Sequence, residues 1–112
     1  MNYVQVIAQQ LSDLRVLQML VLKGYRYQLV KMADDTLKLQ VSIRGRKKDL
    51  TSIEIKYNVG MDWYEVKAWE MSTKNPATYV SEIEQVKDEP EVYADQLDTM
   101  ICDILKIEAV AI

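Results

Sequence analysis

The chain has 112 residues, 49% of them hydrophobic and 28% charged, which fits one compact domain over residues 1–112 and argues against extensive disorder. It contains no histidine, so Ser–His, Cys–His and His-ligated metal chemistry are excluded, and its one cysteine, Cys102, cannot form an internal disulfide or a cysteine-based zinc site. The net charge of −3 divides unevenly, because residues 1–78 hold 12 Lys and Arg against 8 Asp and Glu, whereas residues 79–112 hold 2 against 9. We therefore expect a protein that is not an enzyme and that needs no cofactor.

The start of the chain, "MNYVQVIAQQ", lacks the basic and apolar segments of a signal peptide. The most apolar stretch, Val16 to Leu22, is much shorter than the roughly 20 residues that a membrane-spanning helix needs. We therefore expect a soluble protein of the cytoplasm, without a membrane partner.

The first third of the chain has apolar residues at helical spacing. The spaced positions are Tyr3, Val6, Ile7, Leu11, Leu14, Leu17, Leu20 and Val21. Ser12 has the character of an N-cap, and the pattern leaves open whether Leu11 to Asp13 kinks one helix or separates two. Gly24 follows Lys23 where a helix C-cap is expected, so the helical region is predicted to end there.

Four segments then alternate apolar and polar residues with the period of a β-strand. They are "YRYQLVKM" (25–32), "TLKLQVSI" (36–43), "TSIEIKY" (51–57) and "DWYEVKAWEM" (62–71). A short "ADD" turn joins the first two, and the glycine-containing "NVGMD" joins the last two. A weaker fifth strand is predicted from Tyr79 to Val86.

The segment Glu89-Pro90-Glu91 predicts the start of a C-terminal helix, with proline in the first turn and acids at the positive end. An apolar stripe at helical spacing follows, formed by Tyr93, Leu97, Ile101, Ile104 and Leu105. The order of elements predicts an α+β fold. It consists of an antiparallel meander of four or five strands, with an N-terminal helix or helix pair and a C-terminal helix packed on one face.

Four short segments carry a resemblance to a known set of proteins. They are "QQL" (9–11), "DDTLKLQV" (34–41), "SIEIKYNVGMDWYEVKAW" (52–69), which contains I-x-I and D-x-Y-x-V, and "VYADQL" (92–97). In this order they resemble small uncharacterised proteins of bacteriophages and other mobile elements. The resemblance implies an accessory protein of a phage or mobile element, and it carries over no catalytic residue.

The segment "RGRKKD" (44–49) places four cations between two predicted strands: Arg44, Arg46, Lys47 and Lys48. Such a loop can contact the phosphates of a nucleic acid, or it can simply keep the edge of a sheet soluble. It is not a phosphate-binding P-loop, because it has one glycine and no Gly-Lys-Ser/Thr sequence.

The strand alternation places aromatic and charged side chains together on one face of the sheet. The predicted members are Arg26, Gln28, Lys38, Gln40, Lys56, Trp63, Lys67 and Trp69, together with Glu54 and Glu65. Aromatic rings between cations suit base stacking and phosphate contact, whereas the glutamates and the overall acidity oppose nucleic-acid binding. Tryptophan is enriched at the contact hot spots of protein partners. The remaining possibility is that a helix or loop covers both indoles.

The acids toward the C-terminus form a second candidate surface. They are Glu82, Glu84, Asp88, Glu89, Glu91, Asp95 and Asp98, and their spacing matches no calcium-binding loop. They form either an ordinary solvated helix face or a surface that occupies the nucleic-acid channel of a basic partner, as some phage-encoded inhibitors of host defence do.

The preferred interpretation is a non-enzymatic protein that binds a host or phage protein. The candidate contact residues are Trp63, Lys67 and Trp69 on the sheet, or Glu91, Asp95 and Asp98 on the acidic surface. The first alternative is a module that binds single-stranded nucleic acid through residues 44–48 and the same sheet face. The second alternative is a self-assembling structural protein, for example a homodimer.

Overall fold

In the computed structural model, which describes residues 3–43, 50–75 and 80–105, two N-terminal helices precede five strands and a C-terminal helix. The helices are α1 (Val4–Asp13), α2 (Val16–Leu22) and α3 (Leu97–Leu105). The strands are β1 (Tyr25–Ala33), β2 (Thr36–Ile43), β3 (Leu50–Asn58), β4 (Trp63–Asn75) and β5 (Val80–Val92). The predicted α+β class and antiparallel meander are confirmed.

The N-terminal helical region is a pair of helices. α1 closes where the N–H of Leu14 donates to the carbonyl of Gln10 at 3.0 Å and the N–H of Arg15 to that of Ser12 at 2.9 Å. Arg15 then adopts the left-handed conformation, with φ at 60°, and its carbonyl accepts from the N–H of Met19 in α2 at 3.0 Å. The prediction that Ser12 caps the second helix is wrong. Ser12 lies within α1, and the residue that precedes α2 is the left-handed Arg15, three positions later.

Gly24 ends α2 as the sequence predicts. Its φ of 84° lies in the left-handed region, and its N–H donates to the carbonyl of Val21 at 3.1 Å. β1 therefore starts one residue after the helix cap, and a turn at Asp34 and Asp35 returns the chain along β2.

The strands lie in the sheet in chain order, each antiparallel to the next, so β1 and β5 are the edge strands. The register places Leu39 of β2 opposite Leu29 and Ile53, and Ile53 opposite Ala68. These apolar side chains share one face, against which the helices pack. We call this the inner face of the sheet and the opposite side the outer face.

The prediction that Glu89-Pro90-Glu91 opens the C-terminal helix is wrong. β5 continues through these residues to Val92, and a 3₁₀ turn at Ala94–Gln96 leads into α3. The strand tolerates Pro90 because β5 is an edge strand and because its register with β4 shifts at that point. The fifth strand is therefore longer than the segment ending at Val86 that the sequence predicts.

A single cluster of buried apolar side chains joins the helices to the inner face. Its helical members are Ile7, Leu11, Val16, Met19, Leu20, Leu97, Ile101, Cys102 and Ile104, and its strand members include Leu37, Leu39, Val41, Ile53, Ile55, Tyr64, Val66, Ala68 and Val92. The predicted stripe of α3 is thus buried, except that Leu105 is half-buried and Tyr93 lies outside the helix. None of the described polar or charged side chains is buried.

Candidate functional site

The outer face of the sheet is uncovered in the part of the chain that the structure describes, because all three helices pack on the inner face. β4 contributes both tryptophans to this face. Its residues Tyr64, Val66 and Ala68 are buried on the inner face, with exposed fractions of 3%, 0% and 0%. The alternate residues of β4 therefore point outward.

Trp63 and Trp69 both lie on the outer face, and both are half-buried. The register places Trp69 between Ser52 of β3 and Gln85 of β5, two polar neighbours that leave the indole without an aromatic partner there. Trp63 is opposite Asn58, at the end of the sheet. The assignment of both tryptophans to one non-core face, made from alternation alone, is therefore correct.

A row of alternating charge crosses the outer face between the two tryptophans. Lys38 of β2 is opposite Glu54 of β3, Glu54 is opposite Lys67 of β4, and Lys67 is opposite Asp88 of β5. Directly opposite side chains of unlike charge are favourable across strands. Lys67 therefore has an acid on each side, which lowers its attraction for a phosphate.

Among the described residues that the register pairs across the sheet, the charges of the outer face nearly cancel. Its cations are Arg26, Lys38, Lys56 and Lys67, and its acids are Glu54, Glu65 and Asp88. Among the described side chains, none of these four cations has a carboxylate within 4.0 Å. The charged heads are thus solvated rather than locked in pairs, and they can rearrange toward a partner.

Tyr93 extends the aromatic surface, a role that the sequence pattern did not reveal. Its ring meets that of Trp63 edge to face, with centroids 6.4 Å apart and planes at 81°. Its hydroxyl donates to Glu91 at 2.9 Å, and this hydrogen bond raises the pKa of Tyr93. Tyr93 is 48% exposed. The sequence feature that could have placed Tyr93 after a strand is Pro90, because proline occurs in irregular edge strands as well as at the start of helices.

The contact between Tyr93 and Trp63 joins the two surfaces that the sequence suggested separately. Glu91, an exposed residue of β5, reaches the aromatic end of the sheet through the Tyr93 hydroxyl. Asp95 is exposed in the 3₁₀ turn, and Asp98 is half-buried in the first turn of α3, where its Oδ1 accepts from the N–H of Thr99 at 2.8 Å. Of the three acidic candidates, Glu91 is the one that the described contacts connect to the tryptophan face.

The remaining sequence candidates, Arg44, Arg46, Lys47 and Lys48, lie outside the described residues. Cys102 is a buried thiol of α3, and burial raises its pKa, so the thiolate that would act as a nucleophile is disfavoured. Among the residues that the structure describes, no group of acidic or cysteine side chains is arranged to hold a metal ion. The site is therefore described best by its surface: two indoles, a phenol and a balanced set of charges.

Comparison of the chain with protein-family models, with curated proteins and with solved structures found no match. No helix within the described ranges is long and apolar enough to cross a membrane.

Proposed function

We propose that this chain is a non-enzymatic accessory protein of a bacteriophage or other mobile element, and that it acts by binding a protein partner through the outer face of its sheet. The observation that carries the proposal is the uncovered face itself, on which Trp63 and Trp69 are half-buried. The rest of the protein holds a half-buried indole in place, and the exposed part of the ring remains available as apolar contact area. Tryptophan is enriched at the hot spots of protein interfaces.

The charge pattern favours a protein over a nucleic acid. A protein surface that binds nucleic acid gains affinity from cations that replace the counterions of successive phosphates. Here the row from Lys38 to Asp88 changes sign at every strand, and the described outer-face residues that the register pairs include four cations and three acids. A protein surface can match alternating charges one by one, so it gains specificity from the same pattern.

The origin of the protein rests on the resemblance of its four short segments to phage and mobile-element proteins. An accessory protein of that kind acts in the cytoplasm of the host cell, on a host protein or on another protein of the phage.

A second candidate surface is the acidic one, and the charge of the last described segment favours it. Residues 80–105 contain eight acids and one cation, Lys87, which is already paired with Asp103 at 2.9 Å. Such a surface, including Glu91, Asp95 and Asp98, fits an inhibitor of a host defence system that occupies the nucleic-acid channel of a basic partner.

Affinity capture from the host, followed by a binding measurement with the purified partner, tests the proposal. The wild type is compared with a W63A/W69A variant, and V6A is the matched control because Val6 is an exposed apolar residue of α1, 43% exposed. We expect the double variant to lose about 2 kcal/mol or more of binding free energy and the control to bind as the wild type does. Equal binding by all three proteins would remove the tryptophan face from consideration. Loss of binding in E91Q/D95N/D98N, with W63A/W69A unaffected, would instead select the acidic surface.

Self-assembly is distinguished by the mass of the purified protein in solution. If the outer face mediates a homodimer, light scattering gives a dimer mass that W69A reduces. A monomer at high concentration would exclude this alternative and leave the face free for another protein.

A further inference from the structure

The two edges of the sheet differ in whether another strand can join them. The register of β5 with β4 shifts at three places. The shifts lie between the pairs formed by Val80 and Ser81, by Gln85 and Lys87, and by Glu89 and Val92, where Pro90 also removes an N–H donor. Bulges and an edge proline are the features that prevent a further strand from pairing. β1, by contrast, pairs with β2 without a shift from Tyr25 to Lys31 and contains no proline.

The β1 edge is open over its first half. Arg26, Tyr27 and Gln28 are consecutive exposed residues of an edge strand. In a regular antiparallel edge strand, alternate residues direct their N–H and C=O groups away from the sheet. β1 therefore offers a row of backbone donors and acceptors to an added strand.

An apolar groove of about 500 Å³ lies next to this edge, between α2 and β1. It is lined by Ser12, Leu17, Gln18, Val21, Leu22 and Tyr27. Val21 is 60% exposed, Leu22 is 80% exposed and Tyr27 is 37% exposed, so the groove is open to a ligand from outside. Because Tyr27 is opposite Val41, the groove lies on the inner-face side of β1.

The charge along α2 and β1 is positive, and the acids Asp13, Asp34 and Asp35 lie at the two ends of this segment. Residues 14–33 include four cations, Arg15, Lys23, Arg26 and Lys31, and no acid. Lys31 is paired with Asp34 at 3.1 Å, whereas the other three have no carboxylate within 4.0 Å among the described side chains. Lys23 follows the groove residue Leu22, and Arg26 precedes Tyr27 on the outer-face side of the strand. A second copy of β1 would bring like charges together, so the edge favours an acidic occupant over its own copy.

We propose that β1 and the adjoining groove bind an extended acidic segment of a partner protein, which adds to the sheet as a sixth strand. The segment pairs its backbone with β1, as in β-strand addition. Because successive side chains of a strand point to opposite faces, its apolar residues enter the groove beside Tyr27 while the alternate acidic residues lie on the side of Arg26. The preferred sequence is thus one in which apolar and acidic residues alternate.

Two synthetic heptapeptides with blocked ends test this proposal: Glu-Val-Glu-Leu-Glu-Val-Glu, and the same peptide with lysine in place of each glutamate. Binding to the full chain is followed by amide NMR shifts and by hydrogen exchange. We expect the acidic peptide to shift and protect amides of β1 and to bind at least about tenfold more tightly than the lysine peptide.

Two exposed positions supply the test variants, with a matched control for each. R26E and V21D should each weaken the acidic peptide about tenfold or more, whereas K56E, on the outer face of β3, and V59D, in the β3–β4 turn, should not. Thermal unfolding of all four checks that each variant is folded. The proposal is overturned if the two peptides bind equally or not at all, or if K56E weakens the acidic peptide as much as R26E does. It is likewise overturned if the β1 amides are already protected in a concentration-dependent dimer without peptide, because a second copy would then occupy the edge.

Discussion

Tyr57 and Asp62 make the shortest described side-chain hydrogen bond, 2.5 Å from the phenol oxygen to the carboxylate, across the turn between β3 and β4. The bond needs the neutral phenol as donor, so the carboxylate of Asp62 raises the pKa of Tyr57 from its ordinary value of 10.0 to about 12. The same ring packs between Tyr3 and Tyr64, at centroid distances of 5.4 and 5.3 Å. One carboxylate thus sets the ionisation of a tyrosine that links the N-terminus to the sheet.

We predict that D62N lowers the pKa of Tyr57 toward its ordinary value, measured by NMR titration of the phenol ring carbons. Asparagine tolerates the positive φ of 57° at this position as aspartate does, so the turn is retained. E91Q is the control, because it should lower the pKa of Tyr93 and leave that of Tyr57 unchanged. A Tyr57 pKa that is the same in D62N and the wild type would contradict this assignment.

The raised pKa also predicts a pH dependence of stability. In the unfolded chain Tyr57 regains its ordinary pKa of 10.0, so the folded state holds the proton more tightly. The stabilising contribution is fully present below about pH 10 and is lost as the pH rises through about 12. Urea unfolding over this window should show a smaller loss of stability with pH in D62N than in the wild type. An identical loss in the two proteins would refute the prediction.

At the scale of single elements, the junction between α2 and β1 depends on Gly24. A Cβ added there meets no atom within 4 Å, so alanine would be penalised by its positive φ of 84° alone. We predict that G24A lowers the free energy of unfolding by about 1 to 2 kcal/mol, the cost of a left-handed residue with a side chain. Gly60 is the matched control, because its φ lies outside the left-handed region and an added Cβ would be an ordinary 3.7 Å from Asn58 Oδ1. Equal effects of G24A and G60A in urea denaturation would contradict this account of the cap.

The elements that the sequence predicts well are those whose side chains alternate against one core. The β2, β3 and β4 patterns identify their buried residues correctly because one face of each strand packs against helices. The sequence predicts a helix where β5 continues, because Pro90 fits the first turn of a helix as well as a bulge in an edge strand. The exact break between α1 and α2 was missed because nothing in the residue type of Arg15 announces a positive φ.

In the candidate site, too, local sequence pattern predicts some features and not others. Alternation was enough to place Trp63, Lys67 and Trp69 together, since they lie on one strand. The contact between Trp63 and Tyr93 depends on where β5 ends and how the chain turns into α3, which local pattern does not determine. The row from Lys38 to Asp88 likewise required the strand register, which comes from pairing between strands.

For the whole molecule, the net charge of −3 and the balanced outer face predict weak interaction with nucleic acid. We expect no binding of a fluorescein-labelled single-stranded oligothymidylate at low salt, measured by fluorescence anisotropy, because few phosphates could be neutralised. The nucleic-acid alternative would be supported instead by binding that falls steeply with salt and that R46A/K47A weakens.

Site-specific photocrosslinking tests most directly whether a protein contacts the outer face between the two tryptophans. A photoreactive benzoylphenylalanine replaces Lys67, which is exposed on β4 between Trp63 and Trp69, and a control protein carries it at Gln5, exposed on α1. After illumination in host cells, we predict a discrete protein adduct from position 67 that is absent from position 5 and that W63A/W69A abolishes. No protein adduct from position 67, or the same adducts from both positions, would contradict the claim.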